Sequence, residues 1–310
     1  MKRIGKLFRS WMAVALVLAA LDWVLPGPVL AVELKFSTLI DENNAAITSD
    51  AFAKLMADNL IVNGTTSSVK DAKFFFQECY GGGMLSPLET AFGATVNWVG
   101  GSASTAFQPS VGQMSPAENM LLPPANRQPP GSLYVADPPQ DFWTKALIPQ
   151  LNTANQTVIN SLINAASNDQ AAKVGLVKET SQFLAKNGGD QITLADPTAF
   201  SHHAILWAGV TDRLRHFSDI DNMISTLKAQ WAGTIFTINV LYGDGVHETL
   251  TGPTMGVNLP ASWNQGGSTV QAGTLANLTA TVQNVAKNLS TSEQFLFYAS
   301  DHGGVQTREF

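Results

Sequence analysis

Phe295-Leu296-Phe297-Tyr298-Ala299-Ser300-Asp301-His302-Gly303-Gly304 decides how this chain is read. Five apolar or aromatic residues run without a break, and then the chain passes through Ser-Asp into His-Gly-Gly. A short apolar run bounded by turn residues reads as a strand buried on both faces. It delivers one imidazole to a tight turn at the carboxyl end of that strand. A second stretch has the same design: Phe74-Phe75-Phe76-Gln77-Glu78-Cys79-Tyr80-Gly81-Gly82-Gly83, which carries the only cysteine. The three glycines are expected to keep the backbone open beside the sulfur. A thiol and an imidazole, each at a strand exit, suit nucleophilic catalysis, with the imidazole taking and returning the thiol proton. The two residues stand 223 positions apart.

The bulk composition sets the frame. The 310 residues are 45% hydrophobic and 14% charged, enough to bury one large core or two small ones. A net charge of −6 offers no basic footprint and argues against a nucleic-acid partner. The first residues, Met1-Lys2-Arg3 to Arg9, are basic. Trp11 to Leu21 is apolar, and Val29-Leu30-Ala31 is a small-residue cleavage site. Residues 1–31 therefore read as a secretory signal, and the product as secreted or periplasmic with no membrane attachment after cleavage. Asp22 interrupts the apolar run short of the roughly 20 residues a membrane span needs. An exported protein with one cysteine has no internal disulfide framework.

Three segments follow the signal. Residues 32–107 read as a helix near 50–60, a strand over Ala72–Gln77, and a strand over Ala94–Val99 that ends in Gly100-Gly101-Ser102. Residues 108–200 open with eight of the fifteen prolines, an extended linker over 108–141. Two helices are expected next, near 142–166 and 169–186, as a helical insertion or cap. Residues 201–310 alternate strand, helix, strand, helix, strand, with strands near 203–209, 234–242 and 295–299. That alternation predicts an α/β sandwich of three layers around a mainly parallel sheet. Right-handed crossovers would bring Gly209, Gly243, Gly100, Cys79 and His302 to one edge, where such sheets hold their ligand crevice.

These residues resemble a known family. Phe297 to Gly304 is similar to the histidine strand of legumain- and caspase-type cysteine peptidases, and Phe76 to Gly82 to their cysteine strand. Ala204–Gly209 with Arg215-His216-Phe217-Ser218-Asp219 resembles the first strand and arginine-bearing loop of legumains. Asn239–Gly245 resembles the second strand, and Val96–Ser104 the strand that walls the primary specificity pocket. In the family the histidine strand comes first, whereas here Cys79 precedes His302. A circular permutation restores the order. Joining Phe310 to Val32 leaves 8 residues after His302 and 48 from Val32 to Cys79, a path of 56, against about 50 for caspases. The resemblance thus implies a circularly permuted, caspase-like sheet. Two departures stand out. Gln77 replaces the legumain glutamate, as in caspases, and Arg213 replaces an asparagine of the legumain loop.

The resemblance implies a cysteine endopeptidase acting on a peptide or protein substrate, with Asn or Asp before the scissile bond. Cys79 is the nucleophile and His302 the proton carrier. The backbone N–H groups of Gly303 and Cys79 would hold the oxyanion. Arg215 is the specificity candidate, since a guanidinium binds an acid or amide through two parallel hydrogen bonds. His216, Gln77, Ser102 and Ser104 are the other expected substrate contacts. No metal or cofactor enters this chemistry. His202-His203 resembles a metal pair, but consecutive strand residues face opposite ways. Asp301 is assigned to the turn. The residues also leave open another thiol hydrolase or transpeptidase, and a secreted binding protein without catalysis.

Overall fold

A computed structural model describes residues 34–308 except 130, 170–178 and 253. The expected signal, residues 1–31, lies outside the described residues. The chain divides into Met1–Lys35 with Thr307–Phe310, and Phe36–Gln306; the second unit carries the large sheet, the helices and the site. The strands, in chain order, are β1 (Leu34–Ile40), β2 (Ala46–Thr48), β3 (Ile61–Val62), β4 (Thr66–Ser67), β5 (Asp71–Glu78), β6 (Trp98–Ser102), β7 (Gln182–Lys186), β8 (Ser201–Ala208), β9 (Ile235–Tyr242), β10 (Ser268–Gln271), β11 (Gln294–Asp301) and β12 (Gly303–Arg308). The helices are α1 (Ser49–Leu60), α2 (Leu85–Phe92), α3 (Pro116–Leu121), α4 (Phe142–Leu151), α5 (Val158–Asn168), α6 (Leu214–Gln230) and α7 (Leu275–Ala286).

Seven strands form one sheet in the order β10-β9-β8-β11-β5-β6-β7. Every pair is parallel except β6 with β7. The apolar runs are legible because β5, β8 and β11 are buried at every position, as expected for parallel strands covered on both faces. Alternation divides their side chains between two cores. Phe75, Leu206, Leu296 and Tyr298 pack with Trp143, Leu147, Leu162, Met223 and Leu227. Phe74, Phe76, Trp207, Phe295 and Phe297 pack with Phe52, Met56, Leu88, Leu278 and Val282. Helices α4, α5 and α6 therefore cover one face, and α1, α2 and α7 the other. The expected three-layer α/β architecture with a mainly parallel sheet is what the chain adopts. A second, three-stranded sheet is ordered β12-β1-β2.

Two expectations shift. The strand expected over 94–99 sits at Trp98–Ser102, where it pairs in parallel with Ala72–Phe76, and Leu85 and Leu162 pack onto its Gly100 and Gly101. Residues 182–186, expected in a helix, form the edge strand β7, antiparallel to β6. Of the stripe Val174, Val177 and Leu184 that suggested a helix, the first two lie outside the described residues, and at Leu184 pairing with β6 overrides a weak local preference. The segment 108–200 thus completes the sheet as well as supplying α3, α4 and α5. Among the described residues, no helix is long and apolar enough to cross a membrane.

Candidate functional site

The path from β8 to β9 runs through α6 on one face, and the path into β11 runs through α7 on the other. β8 and β11 are neighbours with crossovers on opposite faces, the arrangement in which such sheets hold ligands at their carboxyl ends. Asp301 ends β11 at this edge. The carboxylate is buried and accepts hydrogen bonds from Gly209 N (2.9 Å), Val210 N (3.0 Å), Trp207 Nε1 (3.1 Å) and His302 N (2.6 Å). Burial still pushes its pKa well above the ordinary range, against the pull of these donors. Asp301 bolts the exit of β11 to the exit of β8, so it holds the turn.

His302 is the first residue past β11, and its Nε2 lies 2.6 Å from Asp212 Oδ1 in the loop after β8. Burial disfavours the Asp212 carboxylate, but the His302 hydrogen bond and the charges of His302, Arg213 and Arg215 bring its pKa below the ordinary value. The rings of His302 and His216 meet edge to face, with centroids 5.1 Å apart. His216 belongs to the first turn of α6 and is 1% exposed. Its Nδ1 lies 3.4 Å from Ser300 Oγ and 3.9 Å from Asp141 Oδ2, while its Nε2 has no partner. Burial, then the positive charges of Arg215, His302 and Arg213, drive its pKa well below the usual value, so this imidazole is neutral. Ser300 Oγ donates to Asp219 Oδ2 (3.0 Å), and Asp141 N donates to Asp219 Oδ1 (3.2 Å). Burial and the Asp141 carboxylate push Asp219 well above the carboxylate range. Arg215 is turned onto Asp141, with Nε 3.2 Å from Oδ1.

Cys79 leaves the next strand. Register sets Asp301 opposite Glu78, so His302 and Cys79 exit adjacent strands side by side. The two main chains touch: a β-carbon on Gly303 would collide with the Cys79 carbonyl. The side chains have other partners. Cys79 Sγ lies 3.8 Å from Ser110 Oγ and 4.0 Å from Ser110 O. Burial raises the thiol above its ordinary value. Ser110 and Arg215 pull it down and Asp141 pushes it up, with burial prevailing. The resting sulfur is a thiol, not a thiolate. Beyond it, Tyr80 is left-handed (φ 65°) and held by Ser37 Oγ on its carbonyl (2.6 Å) and by its own N–H on Gln108 O (2.9 Å). Gly81, Gly82 and Gly83 do not leave open space. Side chains there would collide with Phe76, with Gln182 and Ser104, and with Ser37, respectively. They allow close packing around the exit.

The proline-rich segment is a strap over these same exits. Gln108 receives Tyr80 N–H, Ser110 covers the sulfur, and Gly112 lies against the Arg215–Asp141 pair. Val111 N donates to Glu179 Oε2 (2.8 Å). Burial and the nearby Asp169 charge raise Glu179 to about 9. Glu118 forms a capping box with Ser115 on α3, and its Oε1 also accepts Leu214 N–H (3.1 Å) at the start of α6. Beside the strap, Asp212, Arg213, Glu118, Leu121 and Thr251 line a cleft of about 230 Å³.

The expected site residues therefore divide. Cys79, His302, Gly303, Arg215 and His216 converge on one edge. Gln77, Ser102 and Ser104 are fully buried. Gln77 Oε1 accepts Thr144 N–H (3.1 Å), Ser102 Oγ donates to Ser104 O (2.8 Å), and Ser104 Oγ donates to Glu78 O (3.0 Å). All three brace the exits from within. His202 stacks on Trp231, and His203 bonds Ser201 and Thr237, so the adjacent pair shares no site. Sequence reasoning missed Asp212, Asp141, Asp219 and Ser110. Asp212 had a signal, since it follows the strand exit at Gly209, and Asp219 closes the Arg215–Asp219 motif; Asp141 and Ser110 had none. No family model, curated protein or solved structure matches the chain.

Proposed function

We propose that this protein is an exported cysteine endopeptidase on a circularly permuted, caspase-like sheet. One observation carries the reading: the parallel register of β11 and β5 puts His302 and Cys79 on neighbouring strand exits although 223 positions separate them. The sheet places the strands likened to the family's second, first, histidine, cysteine and following strands next to one another in that order. β12 and β1 are neighbours in the small sheet, which suits a permutation joining the segment after His302 to the segment before Cys79.

The chemistry divides among named groups. Asp212 holds Nε2 of His302 and leaves Nδ1 to take the Cys79 proton. The thiolate attacks the peptide carbonyl, and a thioester forms as the amine departs with the proton from His302. Water, deprotonated by the same imidazole, then releases the acid. The N–H groups of Gly303 and Cys79 would serve as oxyanion donors, a role supported by the close contact of the two main chains. The resting state is latent, since Ser110 covers the sulfur and burial keeps it protonated. Turnover requires residues 108–112 to move off the thiol.

The test is hydrolysis of a peptide library that includes Asn and Asp before the scissile bond. Cys79→Ala and His302→Ala should keep the wild-type circular dichroism spectrum and lose about 10³-fold or more of the activity. Full activity in either variant, or no hydrolysis of any library peptide by the wild type, overturns the reading.

A further inference from the structure

We propose that Asp212, His216 and His302 form a reversible site for a divalent transition-metal ion of the zinc class, and that the bound ion takes His302 away from Cys79. The donors come from three places: the loop after β8, the first turn of α6 and the exit of β11. One ligand atom from each lies within 4.8 Å of the others. Two imidazoles and one carboxylate suit zinc-like ions with a fourth position left open, whereas calcium and magnesium prefer oxygen alone.

His216 supplies the independent observation. It is 1% exposed, yet its Nε2 has no hydrogen-bond partner. A buried polar atom of this kind is costly unless something pairs with it. Its other nitrogen faces Ser300 Oγ and Asp141 Oδ2, and Ser300 in turn donates to Asp219. That is the outer arrangement that fixes a ligating histidine and aims its free nitrogen. Arg215 is paired with Asp141, while Arg213 Nε lies 3.8 Å from Asp212 Oδ2, so the ion shares this carboxylate with a guanidinium.

An ion bound at about 2.0–2.2 Å would set its ligand atoms about 3.3 Å apart in a tetrahedron. The 2.6 Å contact between Asp212 and His302 would open, and the distances to His216, which are within 4.8 Å, would settle to the same value. Asp212 can make that adjustment, because its side chain is 36% exposed on a loop. As the ion takes Nε2, the single proton of the neutral imidazole moves through solvent to Nδ1, which can then no longer accept the Cys79 proton. The inhibitory half of the proposal rests on the peptidase reading, because it needs His302 as the proton carrier. The binding half does not.

The experiment titrates the metal-free full chain with Zn²⁺ by calorimetry and follows the melting temperature. Wild type and Cys79→Ser should each bind one ion, with equal affinity and a raised melting temperature. Asp212→Asn and His216→Gln should bind at least about tenfold more weakly. If His216→Gln fails to fold, Asp212→Asn on the exposed loop still decides. Unchanged binding in the ligand variants, no binding up to about 100 μM Zn²⁺, or loss in Cys79→Ser alone overturns the site. Peptide hydrolysis should fall along the same binding curve and return with a chelator. Hydrolysis that persists in the zinc-saturated protein overturns the withdrawal of His302 while leaving the peptidase reading intact. Zinc binding by a chain that hydrolyses no peptide overturns the inhibition and the peptidase reading together, and leaves the metal site standing.

Discussion

The exits of β11 and β5 are adjacent but built in opposite ways. At the histidine exit, side chains do the work. Asp301 gathers four N–H donors, His302 pairs with Asp212, and beside them His216, Ser300, Asp219 and Asp141 form a polar chain. At the cysteine exit the main chain does it. Tyr80 is held left-handed, three glycines pack tightly, and the thiol meets only the strap. One exit is wired in advance, and the other is covered. The difference teaches that the imidazole is fixed by side chains of the sheet edge, while the thiol is held under residues of the 108–112 segment.

The contrast breaks most severely at Asp301. Asp301→Ala would leave Gly209 N, Val210 N and Trp207 Nε1 buried without an acceptor. Stability should fall by about 3 kcal/mol or more in urea denaturation. A loss under about 1 kcal/mol would mean that the histidine exit is not held by this carboxylate. Gly303→Ala comes next. The added carbon collides with the Cys79 carbonyl, so the two exits must separate. Peptide hydrolysis should drop about 10²-fold, the size of a lost oxyanion donor, while the far-ultraviolet spectrum stays unchanged. Wild-type turnover in this variant would show that the contact between the exits is dispensable.

Smaller effects sharpen the idea of a covered thiol. Burial raises the Cys79 pKa, so the reactive thiolate gains population only as pH rises. Alkylation by iodoacetamide should be slow at neutral pH and keep climbing past the ordinary thiol value of about 8.5. A plateau near pH 7 would show a preformed thiolate instead. The least effect concerns the strap's anchor. Glu179 has a folded pKa of about 9, raised from 4.5. The folded state therefore binds the proton more tightly than the unfolded chain. The stability this gives is full below about pH 4.5 and is lost as pH rises toward 9. Glu179→Gln keeps an acceptor for Val111 N–H and removes that loss. It should melt about 2 °C or more above wild type at pH 8, and the two should converge near pH 4. Equal melting at both pH values would mean that Glu179 ionises freely in the folded protein.

Much of the fold could be read because its central strands advertise themselves. Phe74-Phe75-Phe76 and Phe295-Leu296-Phe297 are apolar on both faces, and glycine turns mark their ends. Strand β7 was not legible, since an edge strand that is only partly buried carries no such run. Within the site, Cys79, His302, Arg215 and His216 stood out by residue type. Asp212, Asp141 and Asp219 did not, because lone carboxylates spaced far apart in sequence look like any solvated charge. Gln77, Ser102 and Ser104 were misleading for a related reason. Polar residues beside a reactive one suggest substrate contacts, but at these positions their hydrogen bonds go to neighbouring backbone.

By itself the sequence determined that a parallel α/β sheet would form and that a thiol and an imidazole would stand at the ends of two of its strands. Strand burial and turn chemistry are local, so a run of ten residues contains them. Only the tertiary structure decided that those two strands are neighbours, that Asp212 rather than Cys79 holds the resting imidazole, and that the proline-rich segment lies across the sulfur. Strand order, strap path and the pKa of a buried group all depend on contacts between residues distant in the chain, and no local pattern records them.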